Sequence, residues 1–161
     1  MTINDCLWYS IFLKMNPLII QPTEHTPKVI FDIEKLQKGK HIFEISGESR
    51  PEDAKIFYEP ILKWLEDFKK YLRALDNAGD NRMRKIRLIF KMIYFNSSSA
   101  KYLFDIIQKM EEIIKQCHNA NIKILWLYNS KDEDIFDTGE EFRGMTSIPF
   151  DLEVLKPGEA I

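Results

Sequence analysis

The chain has 161 residues, 45% of them hydrophobic and 30% charged, which suits one globular domain burying roughly 70% of its unfolded surface. A formal net charge of −2, from 23 Lys+Arg against 25 Asp+Glu, argues against a protein that coats nucleic acid. Two cysteines, Cys6 and Cys117, exclude a disulfide framework or a four-thiolate zinc site and fit free thiols in a reducing cytoplasm.

Near the start, the apolar run Cys6 to Leu13 is about half a membrane span, and Lys14 ends it. Asp5 stands where a secretory signal would carry positive charge, so neither a membrane anchor nor an export signal is expected. Residues 1–15 are expected to be an N-terminal extension, disordered or an upstream-start artefact. Residues 16–156 are expected to form one domain and residues 157–161 a tail.

Pro17, Pro22 and Pro27 predict an irregular, extended stretch over 16–27. Val29–Ile33 and His41–Ile45 are β-branched and aromatic, and predict two strands joined as a hairpin. Ser49 and Glu52 have the spacing of a capping box, with Pro51 in a tolerated first-turn position. From Ala54 to Leu75 the apolar residues recur at helical spacing, with a kink or break expected at Pro60. Asp76–Asn81 is a stop, and Arg82–Phe95 predicts a central strand covered on both faces.

Asn96-Ser97-Ser98-Ser99 opens a second helix that runs to Cys117, and His118–Asn121 closes it. Ile122–Tyr128 predicts another buried strand, and Asn129–Phe142 an acidic helix broken at Gly139. Ile148–Leu155 predicts an edge strand, because Pro149 cannot donate to a ladder. The order β-β-α-β-α-β-α-β makes this a single α/β domain with a mostly parallel central sheet and packed helices.

Enzyme motifs are absent from the sequence: there is no glycine-rich phosphate loop, GxSxG, HExxH or CxxC. His25, His41 and His118 fall in a loop, at a strand edge and at a helix end, away from any paired nucleophile. The acids between Asp132 and Glu141 suit a hard cation by type but lack EF-hand spacing, so a solvated docking face is expected. Arg82, Arg84, Lys85, Arg87 and Lys91 lack the aromatic interleaving of a nucleic-acid platform.

The serine trio is the exception. Ser and Asn favour helix N-caps, yet a cap needs one such side chain and two hydroxyls remain. A phosphate is tolerated at a helix start, where free N–H groups and the positive dipole end meet it, and it adds about −1.5 to −2 of charge.

Four segments carry a family resemblance. They are Thr26–Asp32, Ile45–Glu52, Tyr94–Ser99, and Asp132-Glu133-Asp134 running into Gly139–Phe142. Together they lie in order across roughly residues 16–155, and the chain resembles the SiaC family of bacterial regulatory phosphoproteins. The resemblance implies a STAS-like α/β fold and a non-catalytic, cytoplasmic partner-switching role without a cofactor. By that resemblance a serine/threonine kinase is expected to phosphorylate one hydroxyl and a PP2C-type phosphatase to remove the phosphate. The unmodified protein is then expected to activate a target, in the family's best-known branch a diguanylate cyclase linked to cyclic-di-GMP and biofilm formation.

Carried over by position, the acceptor falls on Ser97, where the family commonly has Thr, with Ser98 and Ser99 as alternates. Asn96, Ser97, Ser98 and Lys101 are expected on the partner-facing surface. The N-terminal excess and the longer Asp76–Asn81 loop depart from the family pattern. Two other readings stand beside this one. The first is an antagonist of an anti-sigma kinase. The second is a small divalent-metal enzyme using Asp132, Glu133, Asp134 and Glu140.

Overall fold

The β-branched and aromatic runs pair into a six-stranded sheet of order β1-β2-β3-β4-β5-β6 in the computed structural model, which describes residues 14–159. The strands are β1 (Leu18–Ile20), β2 (Lys28–Phe31), β3 (His41–Ser49), β4 (Arg84–Phe95), β5 (Ala120–Tyr128) and β6 (Phe150–Val154). The first three run antiparallel, so the expected hairpin is β2–β3, and β3 to β6 run parallel. Three helices connect the parallel strands: α1 (Ala54–Asn77), α2 (Ser97–Gln116) and α3 (Glu133–Met145).

Strand alternation puts two apolar rows on one sheet face. Phe31, Phe43, Leu88, Ile124 and Phe150 form one row, and Val29, Ile45, Phe90, Trp126 and Leu152 the next. Phe43 stacks on Phe31 with ring centroids 4.9 Å apart, and meets Trp64 and Phe68 of α1 edge-on at 5.3 and 5.6 Å. Leu103, Ile106, Ile107 and Met110 of α2 lie in the same buried cluster, and Phe142 of α3 meets Trp126 at 5.6 Å. Each such side chain contributes about 1.5–3 kcal/mol on burial.

Helices therefore cover one face of β4, not both as expected. On its other face Arg87, Ile89 and Lys91 are half-buried, and Lys91 pairs with Glu44 of β3 at 3.4 Å. The central position of β4, between β3 and β5, agrees with expectation.

Four local expectations change. Leu18–Ile20 adds an edge strand inside the stretch expected to be irregular; Pro17 and Pro22 lie outside it and cost it no ladder bond. No Ser49–Glu52 capping box forms: Ser49 belongs to β3, and Asp53 caps α1 by accepting from the Ile56 N–H at 3.0 Å. Helix α1 runs through Pro60 without a break. The carbonyl that Pro60 leaves unpaired is that of Ile56, a residue 70% exposed and so open to solvent.

Helix α3 likewise runs through Gly139. Glycine is there for closeness: a Cβ would stand 2.7 Å from both Cδ1 and Nε1 of Trp126. At the N-terminus, the expected extension lies outside the described residues as far as Leu13, whereas Met15 packs in the core and the Asn16 carbonyl accepts from Trp64 Nε1 at 2.9 Å. Among the described residues no helix is long and apolar enough to cross a membrane.

Candidate functional site

Strand β4 ends with Phe95 edge-on to Trp126 at 6.0 Å, and the chain turns at Asn96 into α2. The Asn96 N–H donates to the Ser49 carbonyl at 3.1 Å, tying the turn to the end of β3. Its side-chain oxygen accepts from the Ser99 N–H at 2.9 Å, so Asn96 is the N-cap and no serine hydroxyl is used for capping.

The three serines then occupy the first three helical positions, at about 100° to one another, and differ in what they meet. Ser97 and Ser98 are exposed, whereas Ser99 is fully buried. Ser99 Oγ donates to the Ser49 carbonyl at 2.9 Å and accepts from Ser49 Oγ at 2.7 Å. Ser49 Oγ also meets Tyr58 Oη of α1 at 2.6 Å. Because Ser49 gives its one proton to Ser99, Tyr58 must donate here. Burial pushes the Tyr58 phenol up to about 12, partly offset by its bond to Ser49 and the nearby Ser99 hydroxyl, so it stays a donor. The chain of hydroxyls is satisfied throughout.

Ser97 lines an open cleft of about 500 Å³ between the start of α2 and α3. Ile93, Tyr94 and Ala100 share its near wall, and Asp134, Asp137, Thr138 and Glu141 its far wall. Ile93 and Tyr94 are each 49% exposed, a largely apolar pair beside Ser97. Lys101, exposed, lies one turn beyond Ser97, with Nζ 5.9 Å from the Tyr102 ring centroid.

The four acids proposed for a metal are not brought together. Asp132 accepts from the Ile135 N–H at 3.1 Å as the cap of α3, and Glu140 pairs with Arg143 at 2.6 Å. Among the described residues no group of three or more His, Cys, Asp or Glu side chains is placed to hold a metal ion. Arg82 and Arg84 of the basic run each meet Asp80 at 2.8 Å. His41 is buried with Nδ1 3.2 Å from the Lys35 carbonyl, and burial lowers its pKa; His25 and His118 are exposed. Cys117 is a buried thiol raised by desolvation, its Sγ donating to the Lys69 carbonyl at 3.7 Å, while Cys6 lies outside the described residues.

Sequence reasoning missed Ser49 and Tyr58. Strand alternation carried on from Phe43 and Ile45 points Ser49 inward, a signal that is lost when the strand is ended at Ile45 and Ser49 is assigned to a helix cap.

Comparison with known proteins gives concordant matches. The family described as SiaC family regulatory phosphoprotein matches residues 20–155. An uncharacterized protein of Pseudomonas aeruginosa strain UCBPP-PA14 is 28% identical over 141 residues, covering 86% of this chain and 97% of its own. The crystal structure of apo-SiaC from Pseudomonas aeruginosa is 26% identical with a TM-score of 0.66, covering 86% of this chain and 99% of its own. The SiaC that activates the diguanylate cyclase SiaD, in the crystal structure of their complex from Pseudomonas aeruginosa, is 27% identical with a TM-score of 0.66 and the same coverage.

Proposed function

The chain belongs to the SiaC family of regulatory phosphoproteins, and on that premise we propose that it is a non-catalytic cytoplasmic module switched by phosphate on Ser97. In this reading a serine/threonine kinase adds the phosphate and a PP2C-type phosphatase removes it. The unmodified form binds and activates a diguanylate cyclase, as the similar SiaC does SiaD.

One observation carries the reading: Ser97 stands exposed at the first position of α2, with its hydroxyl left free by the Asn96 cap. Ser98 is exposed too and remains the alternate acceptor, whereas buried Ser99 uses its hydroxyl inside the domain. A phosphate on Ser97 meets two fields. The amides of the first turn and the helix dipole attract it, while Asp134, Asp137 and Glu141 across the cleft repel it. The balance turns the dianion outward, beside exposed Ile93 and Tyr94. An apolar partner seated on that pair must then strip water from the phosphate, which costs it affinity.

The test is recovery of the cyclase from the native host with tagged variants, followed by cyclic-di-GMP synthesis in the eluate. Ser97→Ala should bind like the unmodified protein and stay unregulated. Ser97→Asp should recover at least about tenfold less cyclase, the effect of one unfavourable charge at a partly desolvated contact. Equal recovery from both variants removes the switch.

A further inference from the structure

We infer that Ser99, Ser49 and Tyr58 form a lock that selects which serine of the trio is modified; this rests on the phospho-acceptor reading above. Three adjacent hydroxyls at a helix start differ chemically very little, so a kinase distinguishes them by presentation. Presentation here is set by the rotation of the first turn of α2 about its axis, since neighbouring positions point about 100° apart.

Three bonds fix that rotation. Ser99 Oγ and the Asn96 N–H both end on the Ser49 carbonyl, at 2.9 and 3.1 Å, and the Ser99 N–H ends on Asn96 Oδ1 at 2.9 Å. Tyr58 Oη holds Ser49 Oγ at 2.6 Å from the far side, and the Tyr58 ring stacks on Tyr102 of α2 at 5.1 Å. The anchor thus reaches β3, α1 and α2 together. With Ser99 turned inward, Ser97 faces the cleft, while Ser98 does not line it. Rotation by one position would present Ser98 to the cleft and free Ser99. Ser49, Ser99 and Tyr58 are therefore positioning residues. The transfer itself joins Ser97 Oγ to the γ-phosphorus of ATP, breaks the bridging bond to release ADP, and passes the hydroxyl proton to a base of the kinase.

The experiment isolates tagged full-length wild type, Ser99→Ala and Tyr58→Phe from the native host and localises phosphate by tandem mass spectrometry. Wild type should carry it on Ser97. In Ser99→Ala the Ser98-to-Ser97 phosphate ratio should rise about tenfold, the population change expected from losing a buried hydrogen bond. Tyr58→Phe, which keeps the Ser99 bond to the Ser49 carbonyl, should raise it about twofold. A merely structural role would lower both melting temperatures and leave the ratio unmoved, which overturns the lock. Should Ser99→Ala fail to fold, the Tyr58→Phe ratio decides alone. Wild type phosphorylated chiefly on Ser98 also overturns the lock while sparing a phosphate switch. Wild type with no phosphate on any of the three, at any growth stage, sinks the phospho-acceptor reading and the lock with it.

Discussion

Two helix starts face each other across the cleft, built alike and charged differently. In both, a capping side-chain oxygen accepts the N–H three residues on: Asn96 from Ser99 at 2.9 Å, and Asp132 from Ile135 at 3.1 Å. Helix α3 adds Glu133 and Asp134 to its Asp cap, so its positive dipole end is answered by its own carboxylates. Helix α2 has a neutral cap and no acid in its first turn, only hydroxyls. Its dipole end is met by no carboxylate of its own first turn. Capping geometry and dipole compensation are separable, and this domain uses the first without the second at the place where a phosphate would be added.

The largest way to break the comparison is to dislodge α3. Alanine at a helical glycine ordinarily stabilises by up to about 1 kcal/mol. At Gly139 the sign reverses, because the new Cβ would stand 2.7 Å from the fully buried Trp126 indole, whose N–H is held by the Ile135 carbonyl at 3.0 Å. Gly139→Ala should cost about 1–3 kcal/mol in urea unfolding. An unchanged midpoint would mean that α3 is not seated on Trp126 as described.

Gly139 also illustrates what could be read from the chain. Periodicity located α1 and α2 and the β2, β3, β4, β5 and β6 segments, since each has enough apolar residues to show its period. It placed the serine trio at the junction of β4 and α2 because the apolar pattern stops at Asn96. Where one residue type serves two purposes, local reading chose wrongly. Glycine at 139 looked like a helix breaker, yet it serves a close approach that only the folded partner reveals. Ser49 looked like a cap, yet it is an interior hydroxyl, because the inward phase of β3 continues past Gly47. The acids of α3 facing Ser97 are 35 or more residues away in the chain, and no local pattern reports that nearness.

Removing the cap of α2 comes next. Asn96→Ala leaves the Ser99 N–H without its partner and should cost about 1 kcal/mol. The loss should appear as faster hydrogen exchange at the first amides of α2, with α3 unaffected. A comparable change in α3 would show the two starts to be one unit.

A smaller effect, confined to acid, compares the neutral front of the α1–α2 contact with its charged middle. Lys69, 8% exposed at its side chain, meets Glu112 at 2.6 Å and Glu66 at 3.0 Å, and Lys109 joins both carboxylates. Hydrogen bonds from Lys69 and Lys109 hold Glu66 down at about 2 against an ordinary 4.5, and Glu112 is lowered in the same way. A depressed carboxylate contributes stability that is fully present above its ordinary value and is lost as pH falls through the folded one. Stability should therefore decline between about pH 4.5 and 2, more shallowly in Glu112→Gln. The hydroxyl chain at Ser49 has no group titrating there, so exchange protection of the first turn of α2 should outlast that of its middle.

The smallest change is the sharpest test, because it alters charge and keeps geometry. Asn96→Asp preserves the oxygen that accepts from Ser99 and gives α2 the same kind of cap that α3 has. The carboxylate should stabilise the unmodified domain by about 0.3–1 kcal/mol through the dipole, an increment that salt screens. The same charge then sits one residue from Ser97, where a phosphate would meet the new cap in addition to Asp134, Asp137 and Glu141. Stability should rise while the phosphorylated fraction in the native host falls. If the two instead rose together, a neutral cap would have no bearing on phosphate at this helix, and the contrast between the two starts would be one of composition alone.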